Sequence, residues 1–230
     1  MPNAAVPLLQ CGDNMKTIAK IHTDFPTKFG IPRQSGLANE LKGKIVFEPE
    51  YRNPDAIRGL EGFSHIWLLW KFNVPDGRKS LTVRPPKLGG NTRVGVFATR
   101  SPFRPNGIGL SCVKLEKIEG TELSVSGADL MDGTEIVDIK PYVPYADCHP
   151  DAVGGFSKDG SERLNVVCDE ELLASFPAEK RTALLRVLEL DPRPQYQDDP
   201  ERLYGFGFAG YEIRFTVDGG TLFLREIEKV

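Results

Sequence analysis

The chain lacks the features that announce several common protein classes. Its longest strongly apolar run, Ile66-Trp-Leu-Leu-Trp70, is cut off at once by Lys71, whereas a membrane-spanning helix needs ~20 apolar residues. No membrane association is expected. Met1 to Gln10 has neither a basic n-region nor an adequate apolar h-region, so no secretory leader is read there. The four cysteines, Cys11, Cys112, Cys148 and Cys168, lie far apart and form no Cys-x-x-Cys pair. That pattern argues against a disulfide framework and fits reduced thiols. His22, His65 and His149 have no partners at metal-ligand spacing, so no bound metal is expected and the expected compartment is the cytoplasm.

Neither sign of charge is in surplus: 29 basic against 32 acidic side chains in 230 residues, a net of −3. Taken whole, that balance argues against a nucleic-acid partner, since such proteins usually carry an excess of Lys and Arg. The average conceals a division, however. Residues 1–150 carry 19 basic and 16 acidic side chains, and residues 151–230 carry 10 and 16. A basic body therefore sits beside an acidic extension, and the net charge excludes nothing about RNA. At 40% hydrophobic and 27% charged residues the composition is that of a globular protein, which rules out coiled coil, collagen-like repeat and general disorder.

What is present first is a series of short strands. Residues 15–22 and Lys44 to Glu48 read as strands, as does Ser64 to Phe72, whose apolar and aromatic centre predicts burial on both faces. Arg93 to Ala98, Leu110 to Ile118, Glu122 to Gly127 and Glu135 to Lys140 follow at close spacing, with almost no helical pattern before residue 169. Such spacing predicts a sandwich or small barrel over residues 1–150. Beyond a Gly- and Asp-rich connection the texture changes. Asp169 to Ser175 and Ala178 to Leu190 have apolar residues at helical spacing, with Pro177 at the start of the second helix and Asp191-Pro-Arg-Pro194 stopping it. Tyr211 to Val217 and Leu222 to Ile227 flank Asp218-Gly-Gly220, a hairpin signal. The reading is a β-rich body, 1–150, followed by a small α+β appendage, 151–230. Gly205-Phe-Gly207-Phe-Ala-Gly210 has the spacing of a dinucleotide fingerprint, but a strand follows it where the chemistry needs a helix. It is read as a flexible approach to the hairpin.

Four segments carry candidate chemistry. From Arg84 through Arg104 the chain holds Arg84, Lys87, Arg93, Arg100 and Arg104 and no acidic residue, among prolines that restrict the backbone. Guanidinium groups held in this way suit phosphate or carboxylate. Phe29 to Gly36 places Arg33 and Gln34 after Pro32, and Asp129-Leu-Met-Asp-Gly-Thr134 sets two carboxylates at a strand end. Asp191, Arg193 and Tyr196 bring a carboxylate, a guanidinium and a phenol within six residues.

In order along nearly the whole chain stand Ile31-Pro-Arg-Gln34, Arg58-Gly-Leu-Glu-Gly-Phe-Ser-His65, Thr82-Val-Arg-Pro-Pro86, Gly95-Val-Phe-Ala-Thr-Arg-Ser101, Arg104-Pro-Asn106, Asp129-Leu-Met-Asp-Gly-Thr134, Asp138-Ile-Lys-Pro-Tyr142 and Asp191-Pro-Arg-Pro194. This ordered set resembles the TsaA-like family, most closely its TrmO (YaeB-type) branch of tRNA (adenine-N6)-methyltransferases. The resemblance implies a mainly β protein with a closed N-terminal barrel that binds S-adenosylmethionine. It further implies a homodimer that methylates N6 of threonylcarbamoyladenosine, next to the anticodon of tRNA. By position, the implied cofactor contacts are Pro32, Arg33, Gln34, Asn73, Val74, Arg100, Leu110, Asp132, Gly133, Thr134 and Glu135. Gly107, Asn73 and Glu135 stand where the family often has proline, histidine and proline. For removal of the N6 proton the candidates are Asp191 and Tyr196, with Asp132 assigned to the cofactor. Arg84, Lys87, Arg93, Arg104 and Arg193 are the expected tRNA contacts. Two other readings compete: a non-catalytic RNA-binding barrel, and an S-adenosylmethionine-dependent methyltransferase of another substrate.

Overall fold

A computed structural model describes residues 15–73, 80–157, 163–194, 197 and 199–230. Six strands close into a barrel in the order β1-β2-β7-β6-β3-β8: β1 Ala19–His22, β2 Lys42–Phe47, β3 His65–Lys71, β6 Ile108–Glu119, β7 Glu122–Ser126 and β8 Thr134–Pro141. Alternation accounts for the closure, since every second residue points inward. Ile21, Ile45, Ile66, Leu68, Val113, Leu123, Val125 and Ile136 fill the interior. Between β3 and β6 a two-stranded ribbon, β4 Thr82–Val83 and β5 Val94–Gly95, stands apart from the barrel. Short helices α1 Pro54–Ile57 and α2 Pro144–Asp147 bridge strand ends. No helix among the described residues is long and apolar enough to cross a membrane.

The second unit is a four-stranded sheet, ordered β10-β11-β12-β9, from β9 Asn165–Val167, β10 Tyr204–Phe208, β11 Tyr211–Asp218 and β12 Thr221–Lys229. Helices α3 Glu170–Ala174 and α4 Ala178–Glu189 belong to the same unit. Asp169 caps α3, its carboxylate accepting from the N–H groups of Glu171 and Leu172 at 2.7 and 3.3 Å. Ala183, Leu184, Val187 and Leu188 form the buried stripe of α4. The core of this unit also takes in Phe25, Ala38 and Leu41 from the connection between β1 and β2. The packing therefore crosses the 150/151 division.

Three expectations need correction. The strand predicted over 93–98 survives only as Val94–Gly95 and then tightens into a 3₁₀ turn. Its partner ends at Val83, because Pro85 and Pro86 offer no N–H to prolong the ladder. β3 is buried on one face only. Ile66 and Leu68 point into the barrel, whereas Trp67 lies outside, half-buried against Tyr142 (5.7 Å between centroids), its indole N–H donating to Asp147 at 3.1 Å. A closed barrel has one interior, and among the described residues no second layer covers this outer face. Finally, the Gly-rich stretch after Leu203 is a regular strand, β10, paired along its length with β11. Tyr204, Phe206 and Phe208 face the core while the glycines between them let other groups approach: a Cβ on Gly207 would sit 2.9 Å from Pro26.

Candidate active site at the barrel mouth

A cavity of about 1330 Å³ opens where the β1–β2 connection, the end of β3, the loop after β5 and the start of β8 converge. That volume exceeds the ~300–1,000 Å³ of an ordinary small-ligand site, leaving room for a cofactor and a nucleoside together. Its walls include Pro32, Arg33, Gln34, Asn73, Arg100, Arg104, Leu110, Gly133, Thr134 and Glu135, so ten residues singled out from the sequence share one hollow.

Each wall has a local cause. The Pro32–Gln34 loop docks on the stretch of β6 that runs past its ladder with β7. There the Cys112 N–H donates to the Ser35 hydroxyl at 3.0 Å, and the Gly36 N–H to the Gly127 carbonyl at 2.9 Å. Arg100 donates to the side-chain carbonyl of Gln34, whose amide donates in turn to the Arg33 carbonyl at 2.5 Å. Burial pulls the Arg33 guanidinium pKa down, and the charge of Asp191 pushes back. On the opposite wall, Glu135 accepts from the Thr17 hydroxyl at 2.9 Å and from Lys71 at 3.3 Å. These partners, Thr17 foremost, hold its carboxyl below the usual carboxylate range.

The floor holds a group that the sequence reading passed over. Trp70 donates its indole N–H to the Ser111 hydroxyl at 3.0 Å, and Ser111 donates to Asp129 at 2.5 Å. Ser111 is fully buried, and Asp129 lines the cavity. Burial pushes the Asp129 carboxyl up, against the Ser111 hydrogen bond and the charge of Arg100. Asp132, the carboxylate chosen from the same segment, is turned the other way: it accepts from the Thr23 N–H at 3.0 Å, contacts His22 Nδ1 at 3.2 Å and is not part of the cavity wall. The only hint was the presence of two carboxylates in one short segment, and spacing could not say which faced inward.

Asp191 lies beside the main cavity, in a smaller hollow of about 310 Å³ shared with Lys28, Ile31, Arg33 and Arg193. It takes a left-handed backbone (φ 54), which aspartate tolerates better than most residues. Both its oxygens are held by Arg193, from Nε and Nη2, each at 2.9 Å. Tyr196 and Val74 lie outside the described residues.

Of the basic segment, Arg84, Lys87 and Arg93 sit on or beside the ribbon, Arg93 donating to the Thr82 hydroxyl at 3.0 Å. Arg104 does different work, bracing its own loop through the carbonyls of Thr99 and Ser101 at 3.1 and 3.4 Å. Phe97, three-quarters exposed, stands on the turn leading to Arg100.

Comparison with known proteins matches two family models end to end: the tRNA-methyltransferase O N-terminal domain over residues 20–148 and the TrmO C-terminal domain over 161–230. A protein of Escherichia coli named tRNA (adenine(37)-N6)-methyltransferase is 38% identical over 221 residues, 87% of this chain and 91% of its own length. One of the same name from Eikenella corrodens is 44% identical over 173 residues, 73% of this chain and 98% of its own. A crystal structure of TrmO from Pseudomonas aeruginosa superposes with a TM-score of 0.76 at 32% identity, covering 93% of this chain and 98% of that one.

Proposed function

We propose that this chain, which belongs to the tRNA-methyltransferase O family, transfers a methyl group from S-adenosylmethionine to N6 of the adenine at position 37 of tRNA, the nitrogen already bearing a threonylcarbamoyl group. The observation that carries the reading is the cavity at the barrel mouth. Guanidinium, carboxylate, amide and aromatic groups converge in a space large enough for both reactants.

The donor set fits the cofactor. Arg33 and Arg100 suit its carboxylate, Glu135 its ammonium group, and the faces of Trp70 and Phe72 an adenine ring or a cation. When bound, S-adenosylmethionine supplies a methyl group made electrophilic by cationic sulfur. The protein's task is then to hold N6 in line with that carbon and to exclude water, since alignment alone removes ~7–11 kcal/mol of barrier. The ribbon residues Arg84, Lys87 and Arg93, with Arg104 and Arg193 nearer the hollows, are assigned to tRNA, and Phe97 offers a face for a base to stack on. A homodimer working in the cytoplasm is part of the same reading and rests on the family likeness.

Nucleoside mass spectrometry of tRNA incubated with the protein and S-adenosylmethionine tests it. The expected result is one methyl mass added to threonylcarbamoyladenosine. Methylation of plain adenosine instead would correct the substrate, and no transfer at all would overturn the activity. The tRNA surface has its own test. Each phosphate contact contributes ~0.7–0.9 to the slope of log affinity against log salt. The combined Arg84→Ala, Lys87→Ala and Arg93→Ala variant should therefore flatten that slope by about 2–3. An unchanged slope removes the ribbon from the RNA interface.

A further inference from the structure

We propose that Asp129 is the general base of the reaction, and that Trp70 and Ser111 are the positioning residues that aim it into the cavity. This rests on the functional reading above and adds the group that takes the proton. Three observations converge. Asp129 is a carboxylate on the wall of the large cavity, among Gln34, Arg100 and Leu110. One of its oxygens is fixed at 2.5 Å by the fully buried Ser111, which is itself fixed at 3.0 Å by Trp70. Among the described residues the other carboxylates near the site have partners of their own: Asp191 with Arg193, Asp132 with Thr23 and His22, and Glu135, assigned above to the cofactor's ammonium group, with Thr17 and Lys71.

The surroundings of Asp129 suit a base. From the strand side it meets the uncharged Ser111, with Trp70 behind. From the β1–β2 connection it meets the backbone N–H of Ser35, and from the loop after β5 the charge of Arg100. Burial outweighs these partners and raises its proton affinity, which brings a carboxylate closer to the operating pH of a useful base. The step balances. As the N6 lone pair forms the new N–C bond, the C–S bonding pair stays on sulfur to leave a neutral thioether. The N6 proton passes to the second oxygen of Asp129, which later releases it to solvent. The positive charge lost at sulfur is thus matched by the negative charge lost at Asp129.

The test combines single-turnover methylation of tRNA across pH with calorimetric binding of S-adenosylmethionine. Asp129→Asn should lower the rate at least a hundredfold while cofactor Kd stays within about threefold of wild type. The wild-type rate should climb with pH through one ionisation that the variant lacks. Ser111→Ala should move that midpoint upward, because a donor to the ionised carboxylate is lost, and should do so with cofactor Kd unchanged. A purely structural role would not shift the midpoint. An Asp129→Asn rate restored by saturating cofactor makes Asp129 a cofactor ligand and overturns the proposal, as does an unchanged rate. Should Asp129→Asn fail to fold, the Ser111→Ala midpoint decides: no shift sinks the idea. A wild type that methylates tRNA while either variant fails its prediction refutes this inference alone. A wild type that transfers nothing removes the functional reading as well.

Discussion

Gly109→Ala is expected to lower methyl transfer at least a hundredfold and cofactor affinity about tenfold, with a loss of stability of about 1–3 kcal/mol from overpacking. Gly109 lies opposite Trp70 in the β3–β6 ladder. A Cβ there would fall 2.3, 2.4 and 2.6 Å from three indole atoms of Trp70, well inside contact distance. The ring cannot yield sideways, because Phe72 packs against it edge-on at 4.3 Å and its N–H is engaged by Ser111. The methyl group therefore evicts the indole from the cavity floor, and the support of Ser111 and Asp129 goes with it. The effect is steric, since no left-handed backbone is involved at this glycine. Thermal unfolding should show a midpoint lowered by roughly 2–12 °C for a chain of this size. A double-mutant cycle identifies the cause: adding Trp70→Ala to Gly109→Ala should cost far less than Trp70→Ala costs alone, because the clash is then relieved. Additive effects would show that Gly109 acts by another route.

The sequence was most informative where the physics is local. β1, β2, β6, β7 and β8 carry alternating patterns of differing clarity, β3 is a short apolar run, and α4 has a helical stripe with a proline at each end, so the barrel and the appendage were legible. Short-range patterns fail where a turn resets the phase. After Ser126 the chain turns at Gly127 with φ 77, and from there alternation cannot say whether Asp129 or Asp132 points inward. β5 was overestimated for a related reason: its own residues alternate, but the length of a ladder is set by the partner, and Pro85 and Pro86 cut that partner short. The family resemblance pointed to Pro32–Gln34, Arg100 and Gly133–Glu135, which line one cavity, without showing what holds them. Least legible was the dependence of the Pro32–Gln34 loop on residues near the far end of the chain. No local signal couples Gly30 to Phe206; only the folded backbone brings them together.

That long-range coupling yields the second large effect: Phe206→Ala should weaken S-adenosylmethionine binding by about tenfold, although Phe206 itself lies outside the cavity. Phe206 is buried in the core of the second unit, edge-on to Phe215 at 6.1 Å. Its ring fills the space beside Gly30, where a Cβ would meet it at 2.3 Å. Gly30 has φ 80, a conformation that glycine adopts freely and that starts the turn into Pro32–Gln34. The segment is pinned on both sides of that turn by the same unit: Lys180 pairs with Asp24 at 2.5 Å, the Ala209 N–H donates to the Asp24 carbonyl at 2.9 Å, and Arg186 reaches Glu40 at 3.3 Å. Removing the ring leaves a void that costs about 3–5 kcal/mol and frees the loop to move, so ordering it again is charged against binding. Val217→Ala, in the same core but not among the atoms nearest to Gly30, separates the two contributions. Measured well below both unfolding midpoints, it should lower stability while leaving cofactor affinity near wild type. Equal losses of affinity in the two variants would mean that the C-terminal unit supports the barrel in general and not the cofactor loop in particular. A selective loss in Phe206→Ala places the second unit within the binding machinery, as the scaffold on which the Pro32–Gln34 wall is built.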